Sequence, residues 1–331
     1  MFIKMNLNTL ISLTFLVSPL FAKVDSTSIQ LYFTGDVTLS NHFERHVKDS
    51  TGYAFKKLKW FSEADISMIN LENPLTARGK KVEKAFNFRA KPNYAKILVD
   101  GGIDIVTIAN NHIYDYGAEG LHDTILKLVE NNIQYVGAGR NIYEAQHPVI
   151  FYIKGKKIAY YAFYGTHKHS DSYPATEDSA GTAMRRLNII KESIGRFRSQ
   201  VDFVIVNFHW GREKAEYPGK DQIQFAHTVI GYGADIIVGH HPHVLQGIEK
   251  YKGKIIAYSL GNFIFGGNSR KSYKTAILEI NISGNDVEAS IIPIQVNYWQ
   301  PFRLEGAEAK SVLNLVEKLS ENFDESIFEK E

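Results

Sequence analysis

The feature that most constrains this chain is a series of short apolar runs, rich in Ile and Val, that each end in polar residues. In chain order the runs close on the motifs TGD, NLEN, ANNH, NFHWG, GHHPH and SLGN. Short runs of β-branched residues, without alternating polar positions, predict strands that are buried on both faces. Each predicted strand therefore brings side chains capable of metal or acid–base chemistry to its carboxyl end.

Segments with helical character lie between the apolar runs. They comprise 53–61, 92–99, 120–131 and 222–232, and a closing amphipathic helix is predicted over 307–322. Strands that alternate with helices predict an α/β fold. The tail differs, because 275–282 and 286–292 flank SGND as an antiparallel hairpin, whose second strand Pro293 should end.

Length and composition are those of a globular protein. A chain of 331 residues with 44% hydrophobic content can bury a sizeable core, so we expect one large domain over 29–300, with a C-terminal helical segment, 301–331, packed on it. The net charge of +2 and the lack of groove-binding motifs predict no nucleic-acid partner. Because the chain has no cysteine, oxygen and nitrogen atoms must hold any metal ion.

The first 22 residues have the pattern of a secretory signal peptide. A weakly basic start around Lys4 precedes an apolar stretch over 10–21, and Ala22 is a small residue at the expected cleavage point. An uncleaved anchor is the alternative, although the apolar stretch is short for a span of about 20 residues. We therefore expect an exported protein, in the periplasm or on the outer face of the cytoplasmic membrane.

The polar strand ends predict one functional site. In open α/β sheets, ligands bind beyond the carboxyl ends of the strands. This rule gathers Asp36, Glu72, Asn111, His112, His209, His241, His243 and Asn262. Carboxylates, imidazoles and amide oxygens without thiolates suit one or two divalent ions such as Mn, Fe or Zn. Such ions activate water and polarise phosphoryl or acyl oxygens, and a histidine could protonate the leaving group.

Simpler explanations exist for several of these residues. Asn111 and His112 could belong to an Asx turn stabilised by Asp115. His209, beside Trp210, could be an ordinary core histidine. The context of several strand ends in one fold favours the functional interpretation over these alternatives.

The GHHPH motif offers more histidines than a site of this kind needs. Alternation along an extended loop would point His241 and His243, on either side of Pro242, to the same side, while His240 faces elsewhere. The extra histidine also allows His240 to take the place of His241. Glu213 lies in a Gly-Arg-Glu-Lys run, where a surface carboxylate is common, so its assignment is the more ambiguous one.

The motifs TGD, INLENPLT, IANNHIYDYGAEGL, FHWGREKAEYP, IIVGHHPHVLQGIE and YSLGNFIF occur in this order between Tyr32 and Phe265. The ordered set resembles the CapA family of poly-γ-glutamate capsule-synthesis proteins. The resemblance implies a four-layer α-β-β-α sandwich of metallophosphoesterase type, here with a C-terminal β-hairpin and helix.

The resemblance also implies roles for individual residues. The implied metal ligands are Asp36, Glu72, Asn111, His209, His241 and His243. His112 matches the proton-handling histidine, and we assign the catalytic role to His112 with Asp115. The supporting residues are Asn110, His240, Glu213 and Asn262. Two departures from the wider phosphoesterase pattern leave a single-metal site open: Thr38 stands where a histidine is usual, and Glu72 where an aspartate is usual.

The implied function is poly-γ-glutamate capsule synthesis, export or attachment at the cell envelope, with a metal-dependent hydrolase-type site. The expected partners are an anionic poly-γ-glutamate or related polymer and membrane-bound capsule-synthesis proteins. A noncatalytic polymer-binding assembly subunit is one alternative, and an envelope phosphodiesterase is another. A basic stretch over 78–91, in which Lys80, Lys81 and Arg89 are the candidate polymer-binding residues, could attract a polyanion, unless it is an ordinary solvated loop.

Overall fold

The computed structural model describes residues 27–165, 171–267 and 271–328. The predicted signal segment, residues 1–22, lies outside this part of the chain. The strands are β1 (Ile29–Val37), β2 (Ile66–Leu71), β3 (Ile105–Thr107), β4 (Gln134–Val136), β5 (Ala138–Gly139), β6 (Val149–Ile153), β7 (Lys156–Tyr164), β8 (Gly181–Thr182), β9 (Phe203–His209), β10 (Ile236–His240), β11 (Ile248–Tyr251), β12 (Lys254–Ala257), β13 (Asn262–Ile264), β14 (Tyr273–Ser283), β15 (Asp286–Asn297) and β16 (Gln300–Arg303). The α-helices are α1 (His42–Val47), α2 (Ala95–Asp100), α3 (Gly117–Glu130), α4 (Ile142–Gln146), α5 (Leu187–Phe197), α6 (Lys220–Gly231) and α7 (Gly306–Ser320).

Two sheets organise these elements. The first runs β16-β15-β14-β1-β2-β3-β4, with β13 paired to the carboxyl end of β1. In it, β1 to β4 are parallel, whereas β14, β15 and β16 join as antiparallel strands. The second sheet runs β11-β12-β10-β9-β7-β6, with β7, β9, β10 and β12 parallel. A small pair, β5 and β8, lies apart.

Three apolar cores separate four layers. The central core lies between the sheets and holds Phe33 of β1 and Ile205 of β9. A second core packs α2 and α3 onto the outer face of the first sheet, and a third packs α5 and α6 onto the outer face of the second. Alternate residues of one strand enter different cores, as Ile205 and Val206 do, because successive side chains point to opposite faces. The predicted α/β fold is confirmed, and the order of the layers is consistent with the predicted α-β-β-α sandwich.

The C-terminal segment completes the first sheet and the central core. β14 and β15 form the predicted hairpin, and α7 packs against β11, β14 and β15. Val312 and Val316 of α7 enter the core between the sheets.

The prediction that Pro293 ends the second hairpin strand is wrong. β15 continues to Asn297, and Pro293 pairs with Ala276 inside the ladder. The carbonyl oxygen of Pro293 accepts a hydrogen bond from Leu304 N, 2.9 Å away, just beyond the end of β16. The nitrogen of a strand residue points to the same side as its carbonyl. The nitrogen of Pro293, which carries no hydrogen, therefore points toward β16, at the place where the pairing of β15 with β16 ends. The pairing of β15 with β14 loses no hydrogen bond.

Two other local predictions need correction. The predicted helix over 53–61 forms only two short 3₁₀ turns, Thr51–Tyr53 and Lys59–Glu63. Aromatic residues such as Tyr53, Trp60 and Phe61 pack these turns onto the outer face of the first sheet, so tertiary contacts decide the local conformation. The hairpin β6–β7 was not among the predicted strands.

No helix in the described ranges has the length and apolar character needed to span a membrane.

Candidate metal centre

The carboxyl ends of strands from both sheets meet at one place. The first sheet contributes Asp36 at the end of β1, Glu72 just after β2, Asn111 and His112 after β3, and Asn262 at the start of β13. The second sheet contributes His209 at the end of β9, and His241 and His243 just after β10. Contacts between these side chains join them into one cluster, as expected for residues at the carboxyl ends of the strands of an α/β sheet.

The turn at the end of β1 depends on the glycine of the TGD motif. A Cβ atom on Gly35 would lie 2.0 Å from the carbonyl oxygen of Gly261, so no larger residue fits without moving the backbone. The next residue, Asp36, donates its N–H to that same oxygen at 2.8 Å and stands in register with Asn262. Close packing of β1 against the segment before β13 thus fixes the Asp36 side chain.

Asp36 is fully buried and accepts hydrogen bonds on both carboxylate oxygens. Oδ1 accepts from Asn70 Nδ2 at 2.8 Å. Oδ2 accepts from the backbone N–H of His241 at 3.2 Å and lies 3.0 Å from His243 Nδ1. Burial pushes the pKa of Asp36 upward, but the hydrogen bond and charge of His243 outweigh it and leave the pKa below its ordinary value. Asp36 is therefore an anion in this site.

Glu72 is the second fully buried carboxylate. Its Oε2 lies 3.4 Å from Asn70 Nδ2, whereas its Oε1 has no hydrogen-bond partner among the described residues. Oε1 faces His209 Nε2 at 3.7 Å and His243 Nε2 at 3.8 Å. Burial, together with the negative charge of Asp36, raises the pKa of Glu72 well above its ordinary value. An ionised Glu72 needs a positive charge close to Oε1.

His209, Asn111 and His241 converge beside Glu72. His209 Nε2 lies 2.8 Å from Asn111 Oδ1 and 3.0 Å from His241 Nδ1. Burial, reinforced by the neighbouring His241, lowers the pKa of His209 well below its ordinary value, and burial lowers that of His241 to about 4. Both rings are therefore neutral and present lone pairs.

His243 lies beside Asp36 and is partly exposed. Its Nδ1 lies 2.9 Å from Asn262 Oδ1 as well as close to Asp36. Although burial opposes it, the carboxylates of Glu72 and Asp36 raise the pKa of His243 to about 9. Glu213 is exposed, and one of its carboxylate oxygens lies within 4.8 Å of ring nitrogens of His241 and His243. Glu213 thus stands at the mouth of the cluster.

The backbone of the GHHPH loop differs from the extended form that was expected. His241 has a φ of 96° and His243 a φ of 59°, values in the left-handed region that cost free energy for residues with a side chain. This conformation, rather than strand alternation, turns both rings into the cluster. His240 points away from it, and its Nε2 lies 3.1 Å from Thr34 O. The alternative that His240 replaces His241 therefore does not fit the geometry.

His112 and Asp115 form a buried pair next to the cluster. His112 Nδ1 lies 2.8 Å from Asp115 Oδ2. Lys84 Nζ contacts Asp115 Oδ1 and lies 2.5 Å from Asn111 O, so it balances the carboxylate charge. Burial lowers the pKa of His112 despite Asp115, and the Phe88 ring covers the imidazole at a centroid distance of 4.0 Å. Nδ1 is thus occupied, which leaves Nε2 as the ring atom for proton transfer.

Asn70 is the residue of the site that the sequence prediction missed. Its amide nitrogen donates to Asp36, and its Oδ1 accepts from Asn110 Nδ2 at 3.0 Å. Asn110 in turn accepts from the backbone N–H groups of His112 and Ile113. Asn70 and Asn110 therefore tie the ends of β1, β2 and β3 together. The available signal was a polar side chain inside a strand whose every position is buried, since such a group requires partners.

Thr38 explains one departure from the phosphoesterase pattern. Its side chain occupies the place expected for a histidine, and its Oγ1 accepts a hydrogen bond from Gly266 N at 2.6 Å. Thr38 therefore fixes the segment after β13. Within the described part of the chain, its side chain makes no hydrogen bond to the cluster.

The basic stretch is partly neutralised within the fold. Arg78 pairs with Asp123 at 2.5 Å, and the Arg89 guanidinium lies 4.3 Å from the centre of the Tyr116 ring. Lys80 and Lys81 are exposed, and neither makes an ion pair within the described ranges. The role of Lys80, Lys81 and Arg89 in polymer binding stays a prediction.

The sequence is similar to named proteins over most of its length. It is 30% identical over 288 residues to the capsule biosynthesis protein CapA of Bacillus anthracis, covering 84% of this chain and 70% of that protein. It is 30% identical over 277 residues to the PGA biosynthesis protein CapA of Bacillus subtilis (strain 168), covering 81% and 72%.

A solved structure also aligns with most of the chain. The calcineurin-like phosphoesterase YfkN from Bacillus subtilis matches with a TM-score of 0.48 and 14% sequence identity, over 88% of this chain and 96% of that one.

The family assignment follows from the sequence match, which spans the strands that carry the site. The model of the family described as bacterial capsule synthesis protein PGA_cap matches residues 30–267, a range that includes every candidate metal ligand from Asp36 to His243. This chain belongs to that family.

Proposed function

We propose that this chain acts in the synthesis, export or attachment of poly-γ-glutamate or a related polymer at the cell envelope, and that it does so through a metal-dependent hydrolase-type site. Family membership and the names of the two Bacillus relatives support the polymer. The strand-end cluster supports the chemistry, because it gathers buried carboxylates, neutral imidazoles and amide oxygens in the described part of the fold.

The observation that carries the proposal is the unpartnered oxygen of Glu72. Burying a carboxylate oxygen without a hydrogen bond costs on the order of several kcal/mol of folding free energy, unless a nearby charge compensates it. The atoms nearest to Glu72 Oε1 include the ring nitrogens of His209 and His243. Since His209 is neutral, its Nε2 can bring one proton at most to Asn111 Oδ1, His241 Nδ1 and Glu72 Oε1 together. A divalent cation would satisfy all of these acceptors at once.

The spacing of the donor atoms fits such an ion. Asp36, Glu72 and His209 offer ligand atoms that all lie within 4.8 Å of one another, and Glu213, His241 and His243 form a second group of the same kind. Metal–ligand bonds of about 2.0–2.2 Å place neighbouring ligand atoms roughly 3 Å apart, as His209 and His241 are. Nitrogen and oxygen ligands without sulfur favour Mn, Fe or Zn, as one ion or as two.

Bound ions would supply Lewis-acid polarisation of an acyl or phosphoryl oxygen and a lowered pKa for a nearby water. The protein's own contribution is to hold the ligands. Asn70 fixes Asp36, and the strained loop aims His241 and His243. The site needs this rigidity, because catalytic groups displaced by about 1 Å lose much of their effect.

His112 is the proposed proton carrier. Asp115 accepts a hydrogen bond from the Nδ1–H of His112, which leaves the lone pair on Nε2 of the neutral ring. Nε2 can take a proton from the reacting group and return it to the departing one. Phe88 shields the imidazole from water, and the ammonium group of Lys84 contacts Asp115.

The proposed location is outside the cytoplasm, on the periplasmic side or the outer face of the cytoplasmic membrane. This location rests on the signal-like pattern of residues 1–22 and on the polymer named for the relatives. The proposed partners are the polymer and the membrane-bound proteins of a capsule system.

The test is a hydrolysis assay on purified protein reconstituted with manganese. A γ-linked glutamate oligomer and an aryl phosphodiester are offered separately, and His112→Ala is compared with His122→Ala, an exposed histidine on α3. We expect the oligomer to be shortened and the His112 variant to be slower by about 10²- to 10⁴-fold, the usual effect of losing a general acid–base group.

Two other outcomes would reject hydrolysis of the polymer by this site. Cleavage of the phosphodiester alone would identify an envelope phosphodiesterase. Tight binding of the oligomer without cleavage, in protein that holds metal, would identify a noncatalytic assembly subunit, a role that the exposed Lys80 and Lys81 could serve.

A further inference from the structure

Arg185 is a mostly buried cation with no carboxylate partner in the described ranges. It follows β8, and its guanidinium lies 5.5 Å from the centre of the Phe225 ring. Its Nε is buried and makes no hydrogen bond. Burial lowers the pKa of Arg185 below its ordinary value, although Tyr164 opposes the shift. Arginine side chains that leave water are normally paired, so this one is set up for an acceptor that the described residues do not supply.

The acceptor has a cavity to enter. Arg185 lines a cavity of about 540 Å³ together with Gln222, Phe225 and Tyr217. Gln222 belongs to α6, and its Nε2 is a second buried donor without a hydrogen-bond partner. Two unpaired donors against aromatic walls form a site for one anionic group. Two charged residues of opposite sign, Arg212 and Asp221, also line the cavity, and both are exposed.

The cavity adjoins the metal centre. A smaller cavity of about 40 Å³ is lined by Arg185 and Gly211 together with His209, His241 and the acidic residue Asp171. Gly211 lines both cavities and has a φ of 86°. A Cβ atom there would lie 3.0 Å from Gln222 Oε1, so the glycine leaves room between the two cavities. A group bound to Arg185 would thus be a near neighbour of a group bound at the metal centre.

We propose that Arg185 and Gln222 form a subsite for a carboxylate of the substrate, next to the reacting bond. This subsite rests on the proposed function, and it would recognise the polymer through a free carboxylate. In a γ-linked glutamate chain, the carbon that bears the amide nitrogen also bears a free carboxylate. A polymer whose amide lies at the metal centre therefore has an anion a few bonds away. The planar guanidinium fork matches a carboxylate in two hydrogen bonds.

The test is calorimetric binding of a γ-linked glutamate pentamer to protein stripped of metal with a chelator. Metal-free protein can bind the pentamer but cannot hydrolyse it. A negative binding result would therefore count against the carboxylate subsite and not against the proposed hydrolase activity. Arg185→Gln is compared with Arg186→Gln, which removes the same charge from an exposed neighbour. We expect Arg185→Gln to weaken binding by about 10- to 100-fold, the effect of losing charge-assisted hydrogen bonds, and Arg186→Gln to change it less than about twofold.

Equal affinities for the two arginine variants would overturn the proposal. So would inorganic phosphate that displaces the pentamer at equal concentration, because the subsite would then not select carboxylates. If Arg185→Gln does not fold, as judged by its thermal unfolding midpoint, Gln222→Leu removes the second donor at similar volume. That variant should lose about threefold to tenfold in affinity, and unchanged affinity would contradict the proposal.

Discussion

The two sheets contribute different chemistry to the same site. The first sheet delivers oxygen ligands, Asp36, Glu72 and Asn111, from strand ends that Asn70 and Asn110 tie together. The second delivers nitrogen ligands, of which His241 and His243 stand on a loop with left-handed backbone. The oxygen side is buried, while the imidazole side is strained and reaches the exposed Glu213. In the proposed metal centre, the oxygen side would fix the place of the ion and the imidazole side would govern its entry.

Glu72→Gln should have the largest effect on the oxygen side. The variant keeps the shape of the side chain but removes the buried charge, so we expect metal affinity to fall by about 100-fold or more. Metal-free protein should become more stable by roughly 1–3 kcal/mol, because the burial that raises the pKa of Glu72 no longer penalises an anion. That penalty grows as the pH rises above the ordinary glutamate range, so the gain should be larger at pH 8 than at pH 5.

Metal titration and chemical denaturation measure the two effects. Glu119→Gln on the exposed surface of α3 is the matched control and should change neither. A Glu72→Gln protein that binds metal as the parent does would show that Glu72 is a structural residue only.

Asn70→Ala tests the hydrogen bonds that tie the strand ends together. Asn70 Nδ2 donates to Asp36 at 2.8 Å and also lies 3.4 Å from His209 Nδ1. Its loss should therefore reduce metal affinity by about 10- to 100-fold, as expected for groups that orient ligands. Asn93→Ala, at an exposed turn, provides the control. Metal affinity within twofold of the parent would mean that the register of β1 and β2 alone positions Asp36.

The imidazole side should make metal uptake depend on pH. The carboxylates of Glu72 and Asp36 raise the pKa of His243 to about 9 in the metal-free protein, so at pH 7 this ring must lose a proton to bind an ion. Affinity should therefore rise by up to about tenfold per pH unit between pH 7 and pH 9, and then level off. Calorimetry in two buffers of different ionisation enthalpy counts the released protons. No release at pH 7 would contradict the assignment of His243 as a ligand.

The exposed basic residues should have the smallest effect, because they lie outside the cluster. Replacing Lys80 and Lys81 by Ala should weaken binding of the glutamate polymer about twofold to fivefold at low salt, and the difference should shrink as salt is added. The double variant Lys310→Ala, Lys318→Ala removes the same charge from α7. Equal binding by both double variants at low salt would leave the basic stretch as a solvated loop.

The sequence allowed the fold and the members of the cluster to be predicted, because both depend on local patterns. Ile and Val runs with polar ends specify buried strands, and the strand-end rule places Asp36, Glu72 and His209 together. The sequence did not predict Asn70 or Lys84 as residues of the site. Both depend on where distant segments pack: Asn70 meets Asp36 across a strand register, and Lys84 meets Asp115 only after the basic stretch folds back.

Pro293 and the GHHPH loop illustrate the same limit in the backbone. Proline is tolerated in β15 because of which side of the strand its nitrogen faces, and this depends on the end of β16. The left-handed conformations of His241 and His243 run against their intrinsic preference and are held by surrounding contacts, including the hydrogen bond from His241 N to Asp36. Local sequence carries neither kind of information.

The most direct test of the central claim is elemental analysis of protein purified without residues 1–22. The parent is compared with the double variant His241→Ala, His243→Ala and with His122→Ala after reconstitution with manganese or zinc. The account predicts one or two bound ions per chain in the parent and in His122→Ala, and loss of the bound metal in the double variant. A parent protein that takes up no metal from either solution would contradict a metal centre at the ends of these strands.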